Sequence, residues 1–323
     1  MKPLKIAVQM DPVEHIQTKG DTTFALMLEA QARGMEIYTY SPLDLILKTE
    51  KETGAPLFEA KARKVSLRDQ EKDFVDFGAW EVLDLKKMDV ILVRQDPPFD
   101  MSYLTAAYLL DVLDSQESGP LILNKPSGII NAPEKLAPLR FPGLFPPTLI
   151  SRNLEAIQAF REEWQDIILK PLYGNGGAGI FRVRSEDGNF ASLLEMFFSL
   201  SKEPVILQRY ESAVRKGDKR IILVDGEVVG AINRIPAEGS DRSNLHVGGR
   251  AESSKLTSRE LEICERLKPF LRQEGLLLTG IDVIGDWLTE INVTSPTGVR
   301  EMSRFDDTNI AGKIWDSILK KLK

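Results

Sequence analysis

The run Gly174-Asn175-Gly176-Gly177-Ala178-Gly179 limits the fold most, because of the residues on its C-terminal side. Its spacing matches G-x-G-x-x-G, the pattern of a dinucleotide-binding turn. Such a turn must open a helix, whose N-terminus receives the pyrophosphate. Here the next residues, Ile180-Phe181-Arg182-Val183-Arg184, alternate with period two, so the run opens a strand. No G-x-x-x-x-G-K-[ST] pattern is present, which excludes a Walker loop. Ile167 to Lys170, just before it, also reads as a strand. What is left is a glycine-rich turn between two antiparallel strands, with Lys170 at its entrance. Backbone N–H groups in such a turn can approach a polyphosphate unobstructed, and the lysine adds a point charge. Taken alone, the run is equally well explained as a plain surface turn beside a solvated lysine.

Strands and helices alternate before this loop. Leu4 to Met10, Glu36 to Tyr40, Asp89 to Arg94 and Leu121 to Asn124 read as strands. Thr22 to Arg33 and Ser102 to Leu113 read as helices, the first stopped by Gly34. This order predicts a parallel sheet with helices packed on it. Thr49 to Gly78 is highly charged with weak periodicity, so irregular structure or an edge hairpin is expected there. Proline and glycine crowd residues 119 to 148 and mark a join. Beyond it, strands are predicted at Val205 to Gln208, Arg220 to Val224, Glu227 to Asn233, Ile281 to Ile284 and Leu288 to Val293. Helices are predicted at Asn153 to Glu163, Phe190 to Leu200 and Ser258 to Glu274. Asp225-Gly226 between two β-rich runs predicts a tight hairpin.

Composition removes several function classes. A net charge of −6 argues against nucleic-acid binding, which needs a basic face. Two histidines, His15 and His246, leave little room for a His-rich zinc site or a Ser-His-Asp triad. The single Cys264 excludes an internal disulfide and fits a reducing cytosol. It shares a helical face with Leu267 and Leu271 and is expected in the core. No apolar run reaches the roughly 18 residues of a membrane span. The short apolar start meets Asp11 too soon for a signal peptide.

A second constellation is Asp282-Val283-Ile284-Gly285-Asp286-Trp287-Leu288-Thr289-Glu290-Ile291-Asn292. Glu290 and Asn292 are two apart on a strand and share a face. With Asp282 on the partner strand they form a hard, oxygen-only set suited to Mg²⁺ carried by a nucleotide. A two-residue turn at Gly285-Asp286 would set Asp282 opposite Thr289, on the wrong face. A three-residue loop, Gly285-Asp286-Trp287, is therefore expected. Val293 to Gly298 continues as a polar, turn-forming loop where a substrate could sit. Arg220, Arg234 and Arg250 lie beside unusual sequence, and arginine grips carboxylates and phosphates bidentately. Arg234 to Arg250 has three glycines and little apolar content, and is expected to form a mobile lid. His246 lies within it.

Taken together, these residues resemble the bacterial-type glutathione synthetase family of the ATP-grasp superfamily. The matching segments are Met10-Asp11-Pro12, Arg94-Gln95-Asp96-Pro97-Pro98-Phe99-Asp100, Asn124-Lys125-Pro126, Asn131-Ala132-Pro133-Glu134-Lys135-Leu136, Ile167 to Leu172 with the glycine loop, Gly217-Asp218-Lys219-Arg220, and Thr289-Glu290-Ile291-Asn292-Val293-Thr294-Ser295-Pro296-Thr297. They run in the family's order over nearly the whole chain. The resemblance implies an α/β, ATP-grasp architecture: an N-terminal parallel-sheet domain and two α+β subdomains clamping the nucleotide. Its division would be 1–124 for substrate binding, 125–206 for linker and lid subdomain, and 207–323 for the metal and substrate sites.

The implied reaction joins γ-glutamylcysteine to glycine at the expense of ATP, through an acyl phosphate. By resemblance, ATP would meet Lys135, Lys170, Gly176, Gly177, Gln208, Arg209, Tyr210 and Asp218. Asp282, Glu290 and Asn292 would hold Mg²⁺, or Mn²⁺ in its place. Asp11, Arg94, Asn292, Thr294 and Ser295 would contact substrate, and Arg220, Arg234 and Arg250 would serve the chemistry. Tyr173 and Arg209 depart from the family pattern. A cytoplasmic homo-oligomer is implied, with small-molecule substrates and neither nucleic acid nor membrane as partner. Two other readings stay open: an ATP-grasp ligase for another acid and amine, and a non-catalytic ATP-binding module.

Overall fold

The computed structural model describes residues 2–239, 243 and 248–322. The central part of the expected lid, including His246, lies outside the described residues. Three sheets succeed one another along the described chain.

The first sheet is built from β1 (Lys5–Gln9), β2 (Glu36–Tyr40), β3 (Leu45–Thr49), β4 (Pro56–Leu67), β5 (Val75–Asp84), β6 (Val90–Val93) and β7 (Leu121–Leu123). β2, β1, β6 and β7 pair in parallel, as the alternation predicts. Helices α1 (Thr22–Ala32) and α2 (Met101–Asp114) supply the crossovers. Each is capped by an aspartate: Asp21 accepts from Phe24 N at 2.7 Å and Asp100 from Tyr103 N at 2.8 Å. The charged stretch after residue 49 is a long antiparallel hairpin of β4 and β5. β5 forms an outer strand, and β4 also pairs β2 and β3, so the edge-hairpin alternative holds for this segment.

The second sheet contains β8 (Thr148–Ser151), β9 (Ile167–Pro171), β10 (Phe181–Val183) and β11 (Val205–Arg209), ordered β10-β9-β11-β8. It carries α4 (Leu154–Trp164) and α5 (Phe190–Leu200), while a short helix, α3 (Pro126–Asn131), precedes it. Ile157, Ile167, Leu169, Phe190, Leu194 and Leu207 give this body its own core. The expected division after residue 206 falls inside β11.

The third sheet is ordered β14-β13-β12-β15-β16, from β12 (Asp218–Val224), β13 (Glu227–Ile235), β14 (Arg250–Ser253), β15 (Leu278–Ile284) and β16 (Trp287–Asn292). Asp225 and Gly226 both take positive φ, 51° and 77°, as a type I′ turn requires. α6 (Ser258–Gln273), α7 (Val299–Asp306) and α8 (Ile310–Lys321) complete it, and Cys264 is buried on α6.

The first and third bodies are fused. Ile6, Phe24 and Leu92 of the first share a core with Ile222, Ile314 and Trp315 of the third. Trp315 Nε1 donates to Leu26 O at 2.8 Å, which satisfies a buried indole. Asn124 stitches the same seam, donating to Leu278 O and Val293 O at 2.7 Å and accepting from Leu278 N at 2.8 Å. No described helix is long and apolar enough to cross a membrane.

Candidate active site

A cavity of about 260 Å³ opens between the second and third sheets, and residues of the linker and first body reach its wall. The glycine loop forms one side. β10 pairs β9 antiparallel, Phe181 opposite Leu169, so the loop joins two strands as its sequence predicts. Gly176 and Gly177 line the cavity with φ of 61° and 79°, a region glycine enters without strain. Lys135 enters from the linker, donates from Nζ to Gly174 O, and lies 3.9 Å from Glu290 Oε1. Lys170 is buried at the end of β9, 3.3 Å from Gln208 Oε1. Burial lowers its pKa, and the nearby charge of Glu290 opposes that shift.

The opposite wall is an ionic cluster on β12, β13 and β15. Arg220 holds Asp282 with two bonds, of 2.5 and 2.8 Å. Arg234 reaches Asp282 Oδ1 at 3.0 Å and Asp218 Oδ2 at 2.7 Å. Burial opposes the charged form of Asp282, but the two guanidinium groups overcome it and hold the carboxyl far below the usual range. Burial raises Asp218, against the attraction of Arg234. Ser243 Oγ donates to Asp218 Oδ2 at 2.7 Å, whereas the buried Asp218 Oδ1 finds no partner among the described residues.

Asp282 does pair with Glu290 across the sheet, but not through a three-residue loop. The turn is the two-residue Gly285-Asp286, with Ile284 opposite Trp287 and Val283 opposite Leu288. A bulge between Asp282 and Val283 then absorbs Thr289 and restores the register. Thr289 Oγ1 donates to Asp282 O at 3.1 Å, anchoring the irregularity. Asn292 Nδ2 donates to Gly280 O at 3.2 Å and Asp282 Oδ2 at 3.3 Å, so its Oδ1 is the atom a cation would meet. Asp282, Glu290 and Asn292 thus make a hard oxygen set at one spot. Asp282 already accepts from Arg220, Arg234 and Asn292, which leaves the side-chain oxygens of Glu290 and Asn292 the less committed.

Gln208, Arg209 and Tyr210 line the cavity at the end of β11. The Arg209 guanidinium pairs with Glu211, which also lines the cavity, at 2.6 Å and lies 5.3 and 5.5 Å from the Trp164 and Trp287 rings. Tyr173 lies 6.1 Å from Phe99 of the first body, centroid to centroid. Thr294, Ser295 and Thr297 line the cavity beyond β16.

Three expected site residues are not brought to its wall. Arg250 is 74% exposed and pairs with Glu252 at 2.6 Å, because it begins a strand at the outer edge of the third sheet. Arg94 is buried, yet its donors go to Thr23 Oγ1 at 2.9 Å and Pro296 O at 3.1 Å. Asp11 is exposed and accepts from Asp96 N at 2.8 Å. It is Asp96, part of a matching segment but not expected as a site residue, that lines the cavity. Glu134, Ser243 and Thr297 also line it without standing out in the sequence as site residues. The position of Glu134 directly before Lys135 is the one local signal for it.

A family model described as the prokaryotic glutathione synthetase N-terminal domain matches residues 4–129, and one described as the ATP-grasp domain of the same enzyme matches residues 134–307. Glutathione synthetase of Brucella melitensis is 53% identical over 315 residues, 98% of each chain. That of Yersinia pestis is 41% identical over 321 residues, covering 99% of this chain and 98% of the relative. Among solved structures, D-cycloserine synthetase DcsG superposes over 99% of this chain and 100% of its own, with a TM-score of 0.69 at 15% identity. The ATP-grasp ligase PsnB complexed with minimal precursor superposes over 100% of both chains, with a TM-score of 0.64 at 20% identity. At such identities the superpositions establish a shared ATP-grasp fold.

Proposed function

The chain belongs to the prokaryotic glutathione synthetase family, and from that premise we propose that it joins γ-glutamylcysteine to glycine with cleavage of ATP. The observation that carries the reading is the convergence on one cavity of Lys135, Lys170, the glycine loop, Asp282, Glu290 and Asn292. A protein that only bound nucleotide would not need the carboxylate pair and the polar Thr294–Thr297 loop beside it.

A free carboxylate is a poor acyl donor. In the proposed reaction the cysteinyl carboxylate attacks the terminal phosphorus of ATP, ADP leaves, and an acyl phosphate forms. The glycine amine then attacks the acyl carbon, the C–O bond to phosphate breaks, and the nitrogen loses its proton. No protein nucleophile enters, in keeping with a buried Cys264 whose thiol burial pushes up to about 12. Lys135 and Lys170 stand where the transferred phosphoryl group needs positive charge. The glycine loop excludes water from the acyl phosphate. Gln208, Tyr210 and the backbone at Arg209 flank the base, and Asp218 Oδ1, without a partner among the described residues, offers an acceptor to the nucleotide. Arg220 and Arg234, with Thr294 and Ser295, form the wall for substrate carboxylates. Glu290 and Asn292, with Asp282, would hold Mg²⁺ or Mn²⁺, which screens phosphate charge when bound. Homo-oligomeric assembly and a cytoplasmic location belong to the same proposal.

The test is a product assay with γ-glutamylcysteine, glycine and MgATP. The expected result is one phosphate released per tripeptide, with product mass equal to the two acids less water. Phosphate release that depends on neither acid, or turnover only with another acid–amine pair, overturns the reading.

A further inference from the structure

Glu134 is a half-buried carboxylate at the cavity that the mechanism above does not use. Its Oε1 accepts three bonds from the start of the Thr294–Thr297 loop: from Val293 N at 3.2 Å, Thr294 N at 3.3 Å and Thr294 Oγ1 at 2.7 Å. Its own carbonyl accepts from Ile291 N at 3.0 Å. One linker residue thus fixes the chain on both sides of Asn292. β16 ends at Asn292, and among the described residues the chain beyond it has no strand partner.

The far half of the loop is held from other directions. Arg94 Nη2 donates to Pro296 O at 3.1 Å, and Ser295 Oγ donates back to Arg94 O at 3.4 Å. Arg220 Nη1 lies 3.4 Å from Thr297 O. The loop is therefore suspended between the linker, the first body and the ionic cluster. Of these anchors, the Glu134 carboxylate makes the most bonds and takes both successive backbone donors.

We propose that Glu134 is a positioning residue for the acid substrate: it sets the Val293–Thr294 backbone, so that Thr294 and Ser295 present a preformed surface to γ-glutamylcysteine. This rests on the reading of that loop as substrate-binding. The same glutamate lies next to Lys135, so the linker ties the phosphate-contacting lysine and the substrate loop to one short stretch of backbone. Its role is that of an acceptor; negative charge is not required for it. Glutamine at this position keeps an acceptor oxygen at the same reach, whereas alanine leaves three donors without one.

The experiment measures kcat and the KM of each substrate for Glu134→Ala and Glu134→Gln, with melting temperature alongside. The expected result for Glu134→Ala is a KM for γ-glutamylcysteine raised about tenfold, equivalent to about 1.4 kcal/mol. Its KM for ATP should stay within about twofold, a split that general damage to the fold would not produce. Glu134→Gln should recover most of the loss. Unchanged constants in Glu134→Ala, an ATP KM that rises in step, or a glutamine variant as impaired as alanine would each overturn the proposal. If Glu134→Ala does not fold, Glu134→Asp decides, because it keeps the charge but is one methylene too short to hold Val293 N, Thr294 N and Thr294 Oγ1 together. It should raise the KM for γ-glutamylcysteine and leave that for ATP within about twofold. Unchanged constants in Glu134→Asp would refute the proposal. Turnover of the unmodified protein in the same assay reports separately on the proposed function.

Discussion

Removing Arg234 should test the ionic cluster at its centre. Arg234 is 4% exposed, and its Nη2 lies between Asp218 and Asp282, themselves 8% and 3% exposed. In Arg234→Ala, Asp282 keeps Arg220, but among the described residues Asp218 keeps only the neutral side-chain donor of Ser243. Two buried carboxylates then remain with one guanidinium, that of Arg220 on Asp282. Breaking one side of a buried pair costs about 3–5 kcal/mol. At roughly 2 °C per kcal/mol for a chain of this size, that is a fall of about 6–10 °C in melting temperature.

The pH dependence carries the diagnosis. In the intact protein the Asp282 carboxyl is depressed, so its contribution is present above the unfolded value of about 3.9 and is lost as pH falls through the folded value. Loss of Arg234 lifts both carboxyls. The native state then binds protons that the unfolded chain does not, so its stability falls as pH rises. The difference between variant and parent should be widest near pH 8 and narrow toward pH 5. Scanning calorimetry of metal-free protein at both pH values measures it. A fall below about 2 °C, or a gap unchanged between the two pH values, would refute the reasoning.

Glu290→Gln should keep the fold and lose at least about 100-fold in turnover, read as phosphate release at ordinary Mg²⁺; near-normal turnover removes the metal assignment. Cys264, buried with its thiol raised to about 12 by desolvation, should stay unlabelled by a thiol reagent at pH 8 until the protein is denatured; rapid labelling of native protein contradicts this. Gly128→Ala places a methyl 2.2 Å from Glu274 O, where α3 meets the third body. It should cost about 1–3 kcal/mol, seen as a lower melting temperature with little change in the KM for ATP.

Local pattern determined much of this protein. Period-two alternation after Gly179 is a property of five consecutive residues, so the glycine loop could be assigned to a strand pair from sequence alone. The positive φ demanded by Asp225-Gly226, the aspartate caps of α1 and α2, and the apolar face around Cys264 are equally local. Helices α7 and α8 escaped because they come after turn-rich sequence and are held by packing against the first body, as the bond from Trp315 to Leu26 shows. The register of Asp282 with Glu290 was legible as a requirement, but its means was not. A bulge at Thr289 depends on how the bulged strand is anchored to its partner, and turn residues do not encode that. The arginines divide for the same reason. Arg220, Arg234, Arg94 and Arg250 look alike as sequence, yet which of them faces the cavity is set by strand position within a sheet and by the partners that reach each one. Glu134 shows the limit most plainly: its three donors lie about 160 residues further along the chain. Only the fold of linker onto third sheet brings carboxylate and loop together, because hydrogen bonds act over ångströms of space regardless of separation along the chain.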